Sequence, residues 1–244
     1  MARANKAKYG VMPKIKLLSG GAVQGLVAQL HDSFKADTGH EVECVFDAVG
    51  AIESGLVDGE AADLVALTDA QITQMESDGH VVPGSARILG VVKTGIAVRK
   101  GDDAPDVSTS DAFEAALLAA GGIYIPDPKQ STAGAHILRV LRKLGISEDD
   151  LKTRLHVFPN SEEALAALAK GKGKGLLGCI QTTEIRFAPD VVVAGLLPGK
   201  LGLSTIYSVA VTTSSKKPEI AAQFISKLIG AEAAPLRVEI GFEA

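Results

Sequence analysis

Five turns in this chain pass directly from an apolar, strand-like run into a helical pattern through small, hydroxyl or amide residues. They are Ser19-Gly20-Gly21, Asp47-Ala48-Val49-Gly50, Leu67-Thr68-Asp69, Ser131-Thr132-Ala133-Gly134 and Gln181-Thr182-Thr183-Glu184. Each alone reads as ordinary helix capping, since Ser and Thr accept from the first free N–H groups and Gly suits a tight turn. Five of them at strand ends facing one cleft would do more. Backbone N–H groups and hydroxyls at helix N-termini hold an anion without Arg or Lys, so a small carboxylate or oxyanion is the ligand this pattern favours. Gly20 and Gly21 would let that ligand approach the backbone closely.

If chemistry occurs there, a side chain must move a proton. Asp47 follows the second strand-like run directly, and His136 lies one turn into the helix that Ser131 opens; these are the two catalytic candidates. Each also has a structural reading, Asp47 as a helix cap and His136 as a surface residue. Tyr207, in a late strand-like run, could offer its phenol to the ligand or anchor a hinge. Glu184 reads as the capping-box partner of its own helix start. His31, His40, His80 and His156 are scattered. No spacing indicates a hydrolase triad or a metal site, and no cofactor is expected.

Between these turns strand and helix patterns alternate. Lys14–Leu18 is followed by a helix with Val23, Leu26, Val27, Leu30 and Phe34 on one face and Gly39 as its stop. Val42, Cys44 and Phe46 alternate with polar positions; ADLVALTD is a short buried strand; STAGAHILRVLRKLGI is a helix with Ala133, Ile137, Leu138, Leu141 and Leu144 inward; KPEIAAQFISKLIG closes the chain as a helix. Such alternation predicts an α/β fold with parallel sheets and helices on both faces. Two long β-branched runs, Ile88–Arg99 and Thr205–Thr213, break the rhythm. Each is expected to cross between two lobes, one built from residues 12–96 and 205–244 and the other inserted as 97–204, with the ligand cleft between them.

Composition narrows the partners. The chain has 244 residues, 46% hydrophobic, and a formal net charge of -4, enough for a proper core in each of two lobes. No Trp, only 4% aromatics and no basic stripe disfavour nucleic acid. No stretch reaches the length of a membrane span, so no membrane insertion is expected. Cys44 and Cys179 are too few for a disulfide framework and read as buried thiols. The first residues, MARANKAKYGVMPK, are basic but lead into no apolar core of signal-peptide length, and Met12 could be the natural start. The expectation is a cytoplasmic protein, with a periplasmic one that has lost its signal peptide as the alternative.

Three stretches carry a resemblance: IKLLSGGAVQGLVAQLHDSFKADTGHEVECVF, EAADLVALTDAQITQM and IPDPKQSTAGAHILRVLRKLGI. They resemble the bacterial solute-binding proteins of the molybdate-importer type, in an order spanning Lys14 to Phe242. The resemblance implies the type II periplasmic-binding fold: two α/β lobes, two crossing strands and a cleft that closes by hinge motion. It implies a small anionic ligand and, for an exported protein, an ABC importer as partner. In the molybdate binders serines and a tyrosine help hold the anion; here Ala22, Val49-Gly50 and Gln181 stand at those places. GLLGCIQTTEI is closer to a branch that resembles aconitate isomerase, an enzyme on the same fold. By position the implied contacts are Ser19, Gly20, Asp47, Thr68, Ser131, Thr132, Ala133, Gln181 and Thr182, beside Gly21 and Tyr207 from the reading above. Two functions follow: a small-anion binder, or a cofactor-free isomerase of an unsaturated carboxylate.

Overall fold

The computed structural model describes residues 14–243 except 148 and 150. Residues 1–13 of the basic N-terminal stretch, Met12 among them, lie outside the described residues.

The first apolar run is strand β1 (Lys14–Gly20), which leads through one 3-10 turn into α1 (Gln24–Thr38). The α1 face of Leu26, Val27, Leu30 and Phe34 is buried, and the helix stops at Gly39, whose φ of 71° is left-handed and costs a glycine nothing. Then follow β2 (Glu41–Asp47), α2 (Val49–Val57), β3 (Leu64–Thr68), α3 (Asp69–Ser77) and the long β4 (Arg87–Arg99). The second half continues with α4 (Ser110–Ala119), β5 (Gly122–Pro126), α5 (Thr132–Lys143), β6 (Leu155–Phe158), α6 (Ser161–Lys170), β7 (Leu176–Gln181), α7 (Thr182–Phe187) and β8 (Val191–Leu196). The chain returns along β9 (Ser204–Val211) and ends in α8 (Pro218–Ile229) and α9 (Ala234–Ile240). β8 and α9 were not anticipated from the sequence.

The sheet is mixed, where alternation alone suggested a parallel one. Its order is β2-β1-β3-β9-β4-β7-β5-β6, with β8 also on β4. Pairs β1–β2, β1–β3, β5–β6 and β5–β7 are parallel; β9 and β4 run antiparallel to their neighbours. β4 changes partners along its length: Arg87–Lys93 pairs with β9, and from Thr94 onward it pairs with β7 and β8. At that switch Thr94 N donates to Leu203 O at 3.0 Å, just before β9 begins. The core divides accordingly. One cluster draws on residues Ile15 to Val92 and Tyr207 to Phe242, and two further clusters on Ile96 to Leu201.

α8 packs back on the first half, where the Phe34 and Phe224 rings meet edge-on at 4.9 Å. Beyond α9, Phe242 is buried and Glu243 exchanges two 2.8 Å backbone hydrogen bonds with Val91, beside a β-bulge at Gly90. Cys179 is buried in β7 and Cys44 half-buried in β2; both are free, and burial pushes their thiols up to about 12 and about 11. Among the described residues no helix is long and apolar enough to cross a membrane.

Helix α5 shows how the fold aims an N-terminus. Ser131 accepts from Gly134 N at 3.4 Å, and Ala133, Ile137, Val140 and Leu141 are buried behind it. Leu138 and Leu144 are only partly buried against the same cluster. Gly134 lets the first turn lie on the end of β5, because a Cβ there would collide with the Pro126 carbonyl. Gly134→Ala should therefore force backbone apart and cost about 1–3 kcal/mol, read as a lower urea midpoint. An unchanged midpoint would show that the contact relaxes freely.

Candidate functional site

Two connected cavities lie between the halves. The inner one is small, about 20 Å³, and is walled by Gly21, Asp47, Ala48, Val49, Ser131, Thr132, Ser161, Gln181, Glu184 and Tyr207. It shares Gly21, Asp47, Ser161 and Glu184 with an outer chamber of about 800 Å³. The outer wall combines Phe46, Leu165 and Phe187 with Lys100, Lys170, Glu162 and Asp190.

Three helices of two turns or more, α2, α5 and α6, begin at the inner cavity. The first N–H groups of a helix lack intrahelical acceptors and carry partial positive charge. Among the described residues no Lys, Arg or His lines the inner cavity. Its positive potential therefore comes from backbone, and its polar side chains are hydroxyls, one amide and two carboxyls.

The two carboxyls are held differently. Asp47 Oδ1 accepts from Ala48 N at 2.8 Å and from Asn160 Nδ2 at 3.0 Å, so it links the end of β2 to the start of α6 across the cleft. A second bridge, Gly50 N to Gln130 O at 2.9 Å, also joins the halves. Glu184 has the Ser161 hydroxyl as a hydrogen-bonding group beside it, and no ion pair to it is found among the described residues. Burial pushes its carboxyl from the ordinary 4.5 up to about 7; the Ser161 hydrogen bond opposes this and the negative Glu162 adds to it. On the opposite wall is Gly21, where a Cβ would collide with Glu184 Oε1.

Tyr207 reaches this cavity from β9 and is 3% exposed. Burial and then the Glu184 charge push its phenol above its ordinary 10, while the hydrogen-bonding groups of Thr132 and Gln181 beside it pull the other way. Gln181 also joins the crossing strands: its amide donates to Thr205 Oγ1 at 3.4 Å and accepts from Thr94 Oγ1 at 3.3 Å.

The structure brings Gly21, Asp47, Ser131, Thr132, Gln181 and Tyr207 to the inner cavity. Gly20 lies behind it, between Val49 and Tyr207. The remaining candidates are elsewhere. Ser19 is fully buried and donates to Gly20 O at 2.9 Å. Thr68 caps α3, accepting from Gln71 N and donating to Gln71 Oε1. Ala133 packs in the core, and the Thr182 side chain sits near Gly95 and Gly241. His136 bonds Leu201 O at 2.7 Å and lines neither cavity.

Two contributors are new. The turn Asn160-Ser161 is a sixth strand-to-helix junction; its signal was the Asn-Ser-Glu-Glu capping run ahead of an Ala/Leu helix. Glu184 does not close a capping box, since no side chain caps the start of α7. It turns to Ser161 and Gly21 instead. Among the described residues no group of His, Cys, Asp and Glu could hold a metal ion.

A family model for bacterial extracellular solute-binding proteins matches residues 15–243. The chain belongs to that family. Solved structures agree on the type II periplasmic-binding fold. The periplasmic molybdate-binding protein of Azotobacter vinelandii superposes with a TM-score of 0.78 at 20% identity, covering 94% of this chain and 99% of that one. A sulfate-binding protein from Mycobacterium tuberculosis gives 0.73 at 20% identity, with 94% and 86% covered. In sequence, this solute-binding protein is 27% identical over 225 residues to an aconitate isomerase from a Pseudomonas species, covering 90% of this chain and 84% of the relative.

Two outcomes follow for this solute-binding protein. Gly21→Val should weaken anion binding by more than about tenfold while shifting Tm by only a few degrees, because the obstructed neighbour is the end of a movable side chain. Unchanged affinity in a titration would make the turn purely structural. Glu184→Gln should raise Tm at about pH 8.5 and leave it nearly unchanged at about pH 4. The sign follows from a raised folded pKa. Where the unfolded Glu is ionised and the folded one protonated, stability falls as pH rises from 4.5 through about 7, and the full cost applies above.

Proposed function

We propose that this solute-binding protein captures a small anion in the cleft, with its charged head at the inner cavity and the halves closed over it. The observation that carries this reading is the convergence of three helix starts, the Tyr207 phenol and the Ser131 and Thr132 hydroxyls on a cavity without any cationic side chain. The oxyanion binders of the same fold, for molybdate and sulfate, agree with it. The outer chamber leaves room for the body of an organic acid beyond its carboxylate. Capture then follows the hinge logic of two halves joined at the β4–β9 switch, with the ligand stabilising the closed arrangement. Export to the periplasm with delivery to an ABC importer is the setting that suits such a binder.

A second reading has its own observation: a carboxyl that ionises near neutrality, in the cleft, in a relative of an aconitate isomerase. A group with such a pKa can both take and return a proton. In an allylic isomerisation one carboxylate removes a proton from the methylene of the unsaturated acid. The helix starts hold the substrate carboxylates while charge spreads over the allylic carbanion, and the same proton returns at its far end, shifting the double bond. Glu184 fits that role better than His136, which lies outside both cavities.

A thermal-shift screen against molybdate, sulfate, citrate, cis-aconitate and trans-aconitate tests both readings. A ligand at 100 times its Kd adds about 2.7 kcal/mol, or roughly 5–10 °C in Tm for a chain of this size. No shift with any of them would remove the anion reading. A stabilising aconitate that proton NMR finds converted to its isomer, with conversion lost in Glu184→Gln, establishes the enzyme; an anion returned unchanged establishes the binder.

A further inference from the structure

Glu184 is out of place in an anion site. Among the described residues the inner cavity has no ammonium, guanidinium or imidazole, so an anion entering it meets this carboxyl with only backbone and hydroxyl donors to offset the charge. Asp47, the other carboxyl, already accepts from the Ala48 amide and the Asn160 side chain. Glu184 has Ser161 beside it, lines both cavities and faces Gly21, so a ligand seated in the inner cavity displaces water from the half-buried carboxyl. Placing a second negative charge beside an ionised, desolvated carboxylate is costly, whereas a protonated carboxyl can donate a hydrogen bond to the same ligand.

We propose that the cleft takes up its anion together with a proton, and that Glu184 carries that proton. The inference rests on the anion-binding reading and adds a selection rule to it. The bound ligand must offer an acceptor to the Glu184 carboxyl, so a fully ionised oxyanion or carboxylate is preferred over a ligand presenting a hydroxyl donor there. The charged groups around Glu184 are mixed in sign, and the negative Glu162 is the one that adds to its raised carboxyl. From α6 come Glu162 and Lys170, from β9 Tyr207, from the end of β2 Asp47, and from the loop before β8 Asp190. From the end of β4 come Lys100 and Arg99, the latter held by Asp102 and by the carbonyls of Gly171 and Gly173. α1 contributes the neutral Gln24. On α7 itself Arg186 bonds the Glu239 carbonyl, and Arg237 of α9 bonds that of Leu228. Burial raises the Glu184 carboxyl into the neutral range before any ligand is present, and an arriving anion pushes it further in the same direction.

The experiment is calorimetric titration of the full chain with molybdate, sulfate and trans-aconitate, at about pH 6.5 to 8.5, where these probes stay ionised. Two buffers of different ionisation enthalpy report the protons taken up. For the wild type the expected result is an uptake approaching one proton per anion and an affinity falling by up to about tenfold per pH unit above pH 7. Glu184→Gln keeps a neutral donor, and its uptake and pH slope should vanish. An anion that binds with no proton uptake, or a Glu184→Gln protein with the wild-type slope, overturns the proposal and leaves the binding reading intact. No binding of any probe at any pH overturns both. The thermal unfolding of Glu184→Gln, recorded alongside, separates loss of coupling from loss of fold.

Discussion

The walls of the inner cavity meet where the Glu184 carboxyl lies against the bare backbone of Gly21. A side chain on that glycine would have to push the end of Glu184 aside. Asp47 to Asn160 and Gly50 to Gln130 join the halves from the neighbouring turns. The carboxyl is half-buried there, and burial is the largest influence on its acid–base character. Tyr207, brought in by the returning strand, is buried beside it and feels the same charge.

A second constraint lies in how positive potential is supplied. Arg99, the one guanidinium in the outer wall, is bound by Asp102 and two glycine carbonyls. The inner cavity is left to amide N–H groups and hydroxyls. Backbone donors are fixed by the fold and need no reorganisation when a charge arrives, but they read shape and charge more than chemical identity. The same fold holds the molybdate-binding and sulfate-binding proteins that this chain resembles.

Much of this architecture was legible in the residues. The face of Val23, Leu26, Val27, Leu30 and Phe34 and the Gly39 stop define α1, and Ser131 marks the start of α5. The β-branched run through Arg99 marks the long strand β4, which pairs with β9 and then with β7 and β8. Site assignment was weaker because a helix cap and an anion contact use the same residue types. Thr68 and Thr132 look alike in sequence; only the packing of α3 against α2, through Gln71 and Glu53, sends one away from the cleft. Glu184 was hidden for a related reason. Its spacing matched a capping box, whereas its environment is built by Gly21 and Ser161, which are distant in the chain. β8 and α9 escaped because the run before Pro198 and the Ala/Glu/Leu tail lack clear periodicity.

The strand order has one more implication, for the time course of synthesis. β9 lies between β3 and β4, which have no direct pairing with each other. As the chain leaves the ribosome, the two earlier strands therefore present unpaired edges until residue 211 has been made. By then every strand of the inserted half is available to pair. The half whose strands appear first is thus completed last, its open edges exposed meanwhile to wrong partners.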